Sequence, residues 1–372
     1  MEVLYETRRR RLMDLASAEG IDCLIISDPV HILYFTGFHI TPYERFVALI
    51  LDTWKRGAHL ILPSLENGAS VEAQITKTCY EDHENPFERI GEILAGHTHF
   101  GVEKGVMPIS IAEKIEPFTA SGKAALKDIT PFILNLRLCK TDDEIAAIEQ
   151  AGQISDHILS QIRDFIQPGR SEKEITLAIL QAMADIPDVG IDPFVIQILG
   201  GERGANPHGV AGTTPLAAKE AVTVDFGVCY RHYWSDCSRT FFIGDPPDIM
   251  KRIYPIVLQA QEAAIAAVRP GVPIAVVDAT ARGIIAAAGS SAHFIHRTGH
   301  GIGLGIHERP SVHGNNTALL EEGMVITVEP GIYLPGIGGV RIEDDVVVTA
   351  DGHRVLTRYP KSFDEMILNI NP

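Results

Sequence analysis

Two hydrophobic periods alternate along the first part of the chain. Residues 6–19 place Leu12 and Leu15 on the stripe of a helical pattern, and Gly20 stands where a glycine ends a helix. Short apolar runs at 23–26, 46–51, 59–62 and 100–102 predict strands, and the stretches 64–76 and 87–94 between them predict helices. That alternation predicts an α/β amino-terminal domain. Within it Tyr34, Phe35 and Phe38 cluster around Gly37, which predicts either a packed turn under the sheet or the lip of a binding site.

Over 131–140 the pattern changes. Thr141 with Glu144 reads as a capping box that opens a long helix, with Ile145, Ile148, Ile154, Ile158 and Ile162 close to one face and Gln167-Pro168-Gly169 as its stop. Ser171 with Glu174 opens a second helix toward Met183. The same grammar returns in a helix over 251–268, a stop at Arg269-Pro270-Gly271 and a helical run over 277–287. The expectation is a first domain over 1–135 and an α+β, pseudo-symmetric second domain over 136–372, with a site between the halves of the second.

Composition narrows the classes of function. A chain of 372 residues with 45% hydrophobic content has enough apolar side chains for two cores. Five cysteines, none spaced Cys-x-x-Cys, argue against a disulfide framework and a cysteine zinc site. The polar start and the lack of a long apolar run predict a cytoplasmic protein. A formal charge of -16 disfavours nucleic acid and anionic membrane as partners, and Arg8 to Arg11 are expected on a solvated helix face.

Candidate chemistry gathers around the stretch from Gly299 to Glu308, where His300 and His307 stand seven positions apart among four glycines. Four carboxylates join it. Asp225 interrupts the apolar run from Ala221 to Phe226, and Glu329 ends the run from Met324 to Val328; a carboxylate in a buried strand costs several kcal/mol unless it is paired or holds a cation. A hairpin folded about Tyr230 and Arg231 sets Asp225 opposite Asp236, and one centred on Gly336 sets Glu329 opposite Glu343. Four gathered carboxylates call for about four positive charges, which two divalent cations supply, with His300 completing the donors. Oxygen-rich ligation without thiolate suits Mn first, with Co, Fe(II) or Zn as alternatives. Such a pair activates water and polarises a carbonyl, so hydrolysis is the expected chemistry. His208, in Asn206-Pro207-His208-Gly209, and His307 are candidates to donate to a carbonyl oxygen or to shuttle a proton.

These motifs, together with Ser235 to Thr240, Val328-Glu329-Pro330-Gly331 and Val340 to Asp344, resemble those of the pita-bread metallopeptidases. Nearly the whole chain is similar to their Xaa-Pro dipeptidase (prolidase) and Xaa-Pro aminopeptidase branch, and the first domain is similar to its creatinase-like amino-terminal domain. The resemblance implies Asp225 on one metal, Asp236 and Glu343 bridging, and His300 and Glu329 on the second metal. It makes Glu329 the acceptor of the water proton, His208 and His307 the stabilisers of the oxyanion, and Arg341 a group that orients Asp236 or substrate. It also implies a homodimer acting on small peptides with proline in second position. Where some dipeptidases of the family carry an arginine for the substrate carboxylate this chain has Ser311, so Arg309 is the nearest candidate, with Arg341 competing. Xaa-Pro dipeptides are the expected substrates, longer peptides the alternative. A metal-free creatinase-type amidinohydrolase or a binding protein of the same fold is disfavoured because all five ligand positions are filled. The amino-terminal domain disfavours methionine aminopeptidase.

Overall fold

The computed structural model describes residues 2–71, 74–118 and 126–370. Contacts divide the chain into two compact units, Met1–Arg137 and Leu138–Pro372.

The first unit runs α1 (Glu2–Ala18), β1 (Cys23–Ile26), α2 (Pro29–Thr36), β2 (Ala48–Asp52), β3 (Gly57–Pro63), β4 (Ile75–Tyr80), α3 (Pro86–Leu94), β5 (Phe100–Val102), α4 (Ile109–Ile115), β6 (Lys127–Asp128) and α5 (Thr130–Leu136). Its six strands form one mixed sheet in the order β4-β3-β2-β1-β5-β6. β1 is apolar at every position and buried at every position, as a strand covered on both faces must be.

Three local expectations change here. The stretch 64–76 is not a helix: a single 3-10 turn at Ser64–Glu66 gives way to β4 from Ile75, while residues 72–73 lie outside the described residues. The aromatic cluster is the end of a buried helix, α2, which Asp28 caps by accepting from the amides of Val30 and His31 and which Gly37 ends at φ 71. Arg8 and Arg9 are buried rather than solvated. Arg8 Nη1 donates to the Tyr34 carbonyl at 3.0 Å and Arg9 Nη1 to the Phe35 carbonyl at 2.7 Å, so two guanidinium groups satisfy the last turn of α2, where the helix dipole favours a cation.

The second unit contains α6 (Asp142–Ile162), α7 (Glu172–Ala184), β7 (Val189–Gly190), β8 (Ile196–Gly200), β9 (Ala221–Tyr230), β10 (Tyr233–Ile243), α8 (Asp248–Ala266), α9 (Ile274–Ala287), β11 (Gly299–Gly301), β12 (Glu308–Val312), β13 (Val325–Val328), β14 (Gly331–Leu334), β15 (Gly338–Arg341), β16 (Asp344–Val348), β17 (His353–Val355) and β18 (Ile367–Leu368). Both capping boxes are formed, at Thr141 and at Ser171. Two helix pairs each precede two of the four carboxylates: α6 with α7 precede Asp225 in β9 and Asp236 in β10, and α8 with α9 precede Glu329 and Glu343 at the β13–β14 and β15–β16 junctions. One sheet has β10 and β9 at its centre, flanked by β18, β7 and β8; a second runs β12-β11-β13-β16-β17, and β14 and β15 form a two-stranded ribbon. Val222, Val224, Phe226 and Val228 of β9 point into the core, which leaves Thr223, Asp225 and Gly227 on the opposite face by the period of two.

The first hairpin differs from its expected register. Arg231 and His232 both adopt positive φ, 47° and 71°, and form a two-residue turn, so Tyr230 pairs with Tyr233, Asp225 with Ser238 and Asp236 with Gly227. Asp225 and Asp236 are therefore diagonal neighbours and not directly opposed. A slip of two keeps both on the same face, whereas a slip of one would have separated them. The second hairpin keeps one register through both of its ladders, with Gly331 paired to Arg341 and Val328 to Asp344; Glu329 and Glu343 lie in the break between the ladders, where their amides donate to the Thr298 and Ser238 carbonyls and their carboxylates come together.

Behind this face lies a buried cation. Arg239 Nη2 donates to Asp344 Oδ1 at 2.7 Å and to the Tyr359 carbonyl at 2.7 Å, while Nη1 donates to the Glu343 carbonyl at 2.6 Å. Gln261 Nε2 at 2.8 Å and Lys361 Nζ at 2.6 Å satisfy Asp344 Oδ2. Burial works to raise the Asp344 pKa, but Arg239 and Lys361 outweigh it and hold the carboxyl below its ordinary value. Replacing Arg239 with methionine strands part of this buried carboxylate and is expected to cost about 3–5 kcal/mol. Urea unfolding measures this; an unchanged midpoint would show that the pair contributes nothing net.

Candidate metal centre

The residues around the carboxylates are set by close backbone approach. His300 lies in β11 between Gly299 and Gly301, and a Cβ at either glycine would come within 2.0 Å of a carbonyl oxygen, that of Thr327 or of Arg309. Only glycine on both sides lets β11 lie this close to its neighbours. The ring orientation follows: His300 Nδ1 donates to the Gly301 carbonyl at 3.0 Å, which fixes the tautomer and turns Nε2 toward Glu329 Oε1 at 3.5 Å and Asp236 Oδ2 at 3.8 Å. Burial, reinforced by His307, pushes the His300 pKa down to about 3, so the imidazole is neutral and Nε2 carries a lone pair.

The donor atoms form overlapping groups. One oxygen each from Asp225, Asp236 and Glu343 lie within 4.8 Å of one another, and so do one donor each from His300, Glu329 and Glu343, and one each from Asp236, His300 and His307. Asp236, His300 and Glu343 each belong to two groups. Glu343 Oε2 accepts from Ser238 Oγ at 2.8 Å, whereas Oε1 is buried with no hydrogen-bond partner among the described residues. Burial first, and then the neighbouring carboxylates, raise the pKa values of Asp236 and Glu343. Burial pushes Glu329 up to about 7, against the pull of Arg341. An orphaned buried carboxylate oxygen, a neutral imidazole with a free lone pair and mutually repelling carboxylates fit a divalent cation.

The Arg341 side chain has four partners, of which the Pro207 carbonyl is the most distant at 3.5 Å. Nη2 donates to Asp225 Oδ2, Nε to Ser238 Oγ at 2.9 Å, and Nη1 to Tyr333 Oη at 3.0 Å. Its carboxylate is thus Asp225 and not Asp236. Tyr333 passes its own proton to His296 Nε2 at 2.8 Å, and His296 Nδ1 donates to the Arg297 carbonyl at 2.7 Å. Burial lowers the His296 pKa to about 4 and raises that of Tyr333 to about 12, which keeps this chain of hydrogen bonds in one protonation state near neutrality. Sequence reading missed Tyr333 and His296 because a buried tyrosine and a buried histidine carry no spacing signal.

The centre opens into a cleft of about 410 Å³. His208 and His307 line it, on loops that follow β8 and β11, and the His307 ring lies 4.0 Å from that of His300. Arg309 does not line it. Its side chain is exposed on β12, and the cleft guanidinium beside Arg341 comes instead from Arg297, whose Nη1 donates to Ser311 Oγ at 3.2 Å. The expected cationic candidate is thereby replaced by a residue ten positions before His307, and its partner is the serine that occupies the position of the family's arginine.

Comparison with known proteins follows the same lines. The family model described as metallopeptidase family M24 matches residues 146–350, and that of the creatinase/prolidase N-terminal domain matches residues 8–139. An uncharacterized peptidase of Staphylococcus aureus (strain bovine RF122 / ET3-1) is 36% identical over 366 residues, covering 95% of this chain and 100% of its own length. Among solved structures, the prolidase from Pyrococcus furiosus is similar at 34% identity and a TM-score of 0.85, covering 94% of this chain and 99% of that one. The X-Pro aminopeptidase from Thermotoga maritima MSB8 is similar at 30% identity and a TM-score of 0.84, covering 97% and 99%.

The raised carboxyl pKa values give a pH signature. A carboxyl whose folded pKa lies above its unfolded value stabilises the fold fully below the unfolded pKa, and that contribution is lost as pH rises through the folded pKa. For Glu329 the window runs from an ordinary value of 4.5 up to about 7. The chelated protein should therefore lose thermal stability across that window, with Mn restoring it above pH 7 and Glu329→Gln flattening the slope. Melting temperatures of the chelated wild type and variant that run parallel from pH 4.5 to 8 would remove this account.

Proposed function

The chain belongs to metallopeptidase family M24, with a creatinase-type amino-terminal domain ahead of the pita-bread catalytic domain, and from that premise we propose that it is an Xaa-Pro dipeptidase using two divalent metal ions. The observation that carries the reading is the overlap of the donor groups: Asp236, His300 and Glu343 each belong to two of them, and since His300 Nδ1 is engaged by the Gly301 carbonyl, only the two carboxylates have a second donor atom with which to serve a second ion. In this reading Asp225 serves one ion, Asp236 and Glu343 serve both, and His300 and Glu329 complete the second. Mn is the first choice of metal, with Co, Fe or Zn as alternatives. Bound there, two such ions supply an activated water and a polarised substrate carbonyl.

The protein's own residues do the rest. Glu329, whose carboxylate lines the cleft beside the other donors, accepts the proton of the attacking water. His208 and His307, lining the cleft, donate to the carbonyl oxygen as it gains charge. Arg341 holds Asp225 in place, itself fixed by Tyr333 and Ser238. Arg297 takes the carboxylate of the substrate proline, because it lines the cleft and spends one hydrogen bond on a hydroxyl that a carboxylate readily displaces. Cleavage of longer peptides is the second reading, favoured by the likeness to an X-Pro aminopeptidase. The proposal includes a homodimer and a cytoplasmic setting. Among the described residues no helix is long and apolar enough to cross a membrane.

Prolonged chelation should abolish hydrolysis, and Mn or Co should restore it at two ions per chain by elemental analysis. His208→Ala should keep both ions and lose turnover by about 10²-fold, as removal of one oxyanion donor does; a variant that loses its metal instead would refute the role given to His208. Full activity in metal-free protein would sink the proposal as a whole.

Substrate length is decided separately. Amidation of the dipeptide carboxylate should raise KM strongly, and Arg297→Met should shrink the difference between acid and amide while Arg309→Met leaves it unchanged. Faster cleavage of Xaa-Pro-Xaa tripeptides than of Xaa-Pro dipeptides would make the protein an aminopeptidase.

A further inference from the structure

One polar group in the cleft has no role in the reading above. Gln197 pairs with Asp225 across β8 and β9, so both side chains stand on the same face of the sheet, and Gln197 lines the cleft beside the carboxylates. Among the described residues that line it, Gln197 alone carries an amide. Its Oε1 is buried and has no hydrogen-bond partner among the described residues. Nearby Phe194, Val195 and Ile306 offer the cleft apolar side chains with nothing to donate. A buried carbonyl oxygen left unmet is costly, and a ligand that brings a donor to it recovers that cost on binding.

We infer that Gln197 is a specificity-determining residue that accepts a hydrogen bond from the α-ammonium group of the substrate. The inference rests on the proposed reaction, and the chemistry of that substrate narrows the choice of donor. The nitrogen of an Xaa-Pro bond belongs to the proline ring and has no N–H. A zwitterionic Xaa-Pro dipeptide therefore carries its only main-chain donors on the α-ammonium. An orphaned acceptor next to Asp225, one strand away from the centre that receives the scissile carbonyl, is placed to meet them. An amide suits the position better than a further carboxylate does, because a neutral oxygen takes the ammonium without competing for the metal ions. The ammonium is present throughout the reaction, so its loss weakens ground state and transition state alike and appears mainly in KM.

The test uses the full-length, metal-loaded protein and two ligands that differ only in this group: Ala-Pro as substrate, and N-propionylproline, which lacks the ammonium, as competitive inhibitor. Gln197→Met keeps the bulk and removes the acceptor. The variant should lower kcat/KM for Ala-Pro by about tenfold or more, chiefly through KM, while the inhibition constant of N-propionylproline stays within about twofold and metal content is unchanged. Equal weakening of both ligands, no weakening of either, or a loss of bound metal overturns the role of Gln197. Failure of the wild-type protein to hydrolyse Ala-Pro removes the proposed reaction and this inference with it.

Discussion

The constraint on which the second unit depends is the cost of bringing four carboxylates together on one buried face. Asp236 and Glu343 are almost inaccessible, and like charges at this separation repel strongly in a poorly solvated setting. The fold answers with fixed positions and with one local cation, Arg341, paired with Asp225. Each half supplies one pair: Asp225 and Asp236 lie within β9 and β10, and Glu329 and Glu343 at the short junctions where β13 passes to β14 and β15 to β16. His300 adds a neutral donor held by a backbone carbonyl, so the cluster gains a ligand without gaining charge.

Two arginines support this face in different ways. Arg239 lies fully buried and ties the backbone of Glu343 to Asp344 and to the segment around Tyr359. Arg341 reaches Asp225 from the far strand of the β14-β15 ribbon and is itself held by Tyr333, which His296 holds in turn. Placement of the donors is thus carried by a connected set of hydrogen bonds running from the Arg297 carbonyl to Asp225. The cleft walls take up what this set leaves free, with Arg297 at one place and Gln197 at another, each with hydrogen-bonding capacity that the protein itself does not fully use.

Much of the candidate site was legible in the sequence, for a physical reason. A carboxylate inside an apolar strand is expensive, so Asp225 and Glu329 mark themselves, and paired glycines around a histidine mark a backbone packed too closely for a side chain. The capping boxes at Thr141 and Ser171 were legible because they are local, complete within four residues. The reading of Arg8 to Arg11 as a solvated face holds for the exposed Arg10 and Arg11 and failed for Arg8 and Arg9, because their partners, the carbonyls that end α2, lie 26 residues away. The stretch 64–76 misled because its few apolar residues fit a short helical pattern as well as a turn leading into an edge strand, and a brief run does not separate the two.

The sequence by itself determined which residue types gather and on which sheet face, since the period of a strand is a property of the backbone and survives an error of two in register. Only the tertiary structure decided the pairing in the first hairpin, whereas the second keeps the register that a centre at Gly336 predicts. The turn at Arg231 and His232 demands two left-handed residues, and nothing in their side chains announces it, so Asp225 faces Ser238 and meets Asp236 on the diagonal. The cleft guanidinium comes from Arg297 and not Arg309 because the path of β12 turns one outward while the approach to β11 brings the other in. Gln197 has no local signature at all: it matters through the strand it lies beside and the hydrogen bond it lacks, and both arise when β8 pairs with β9.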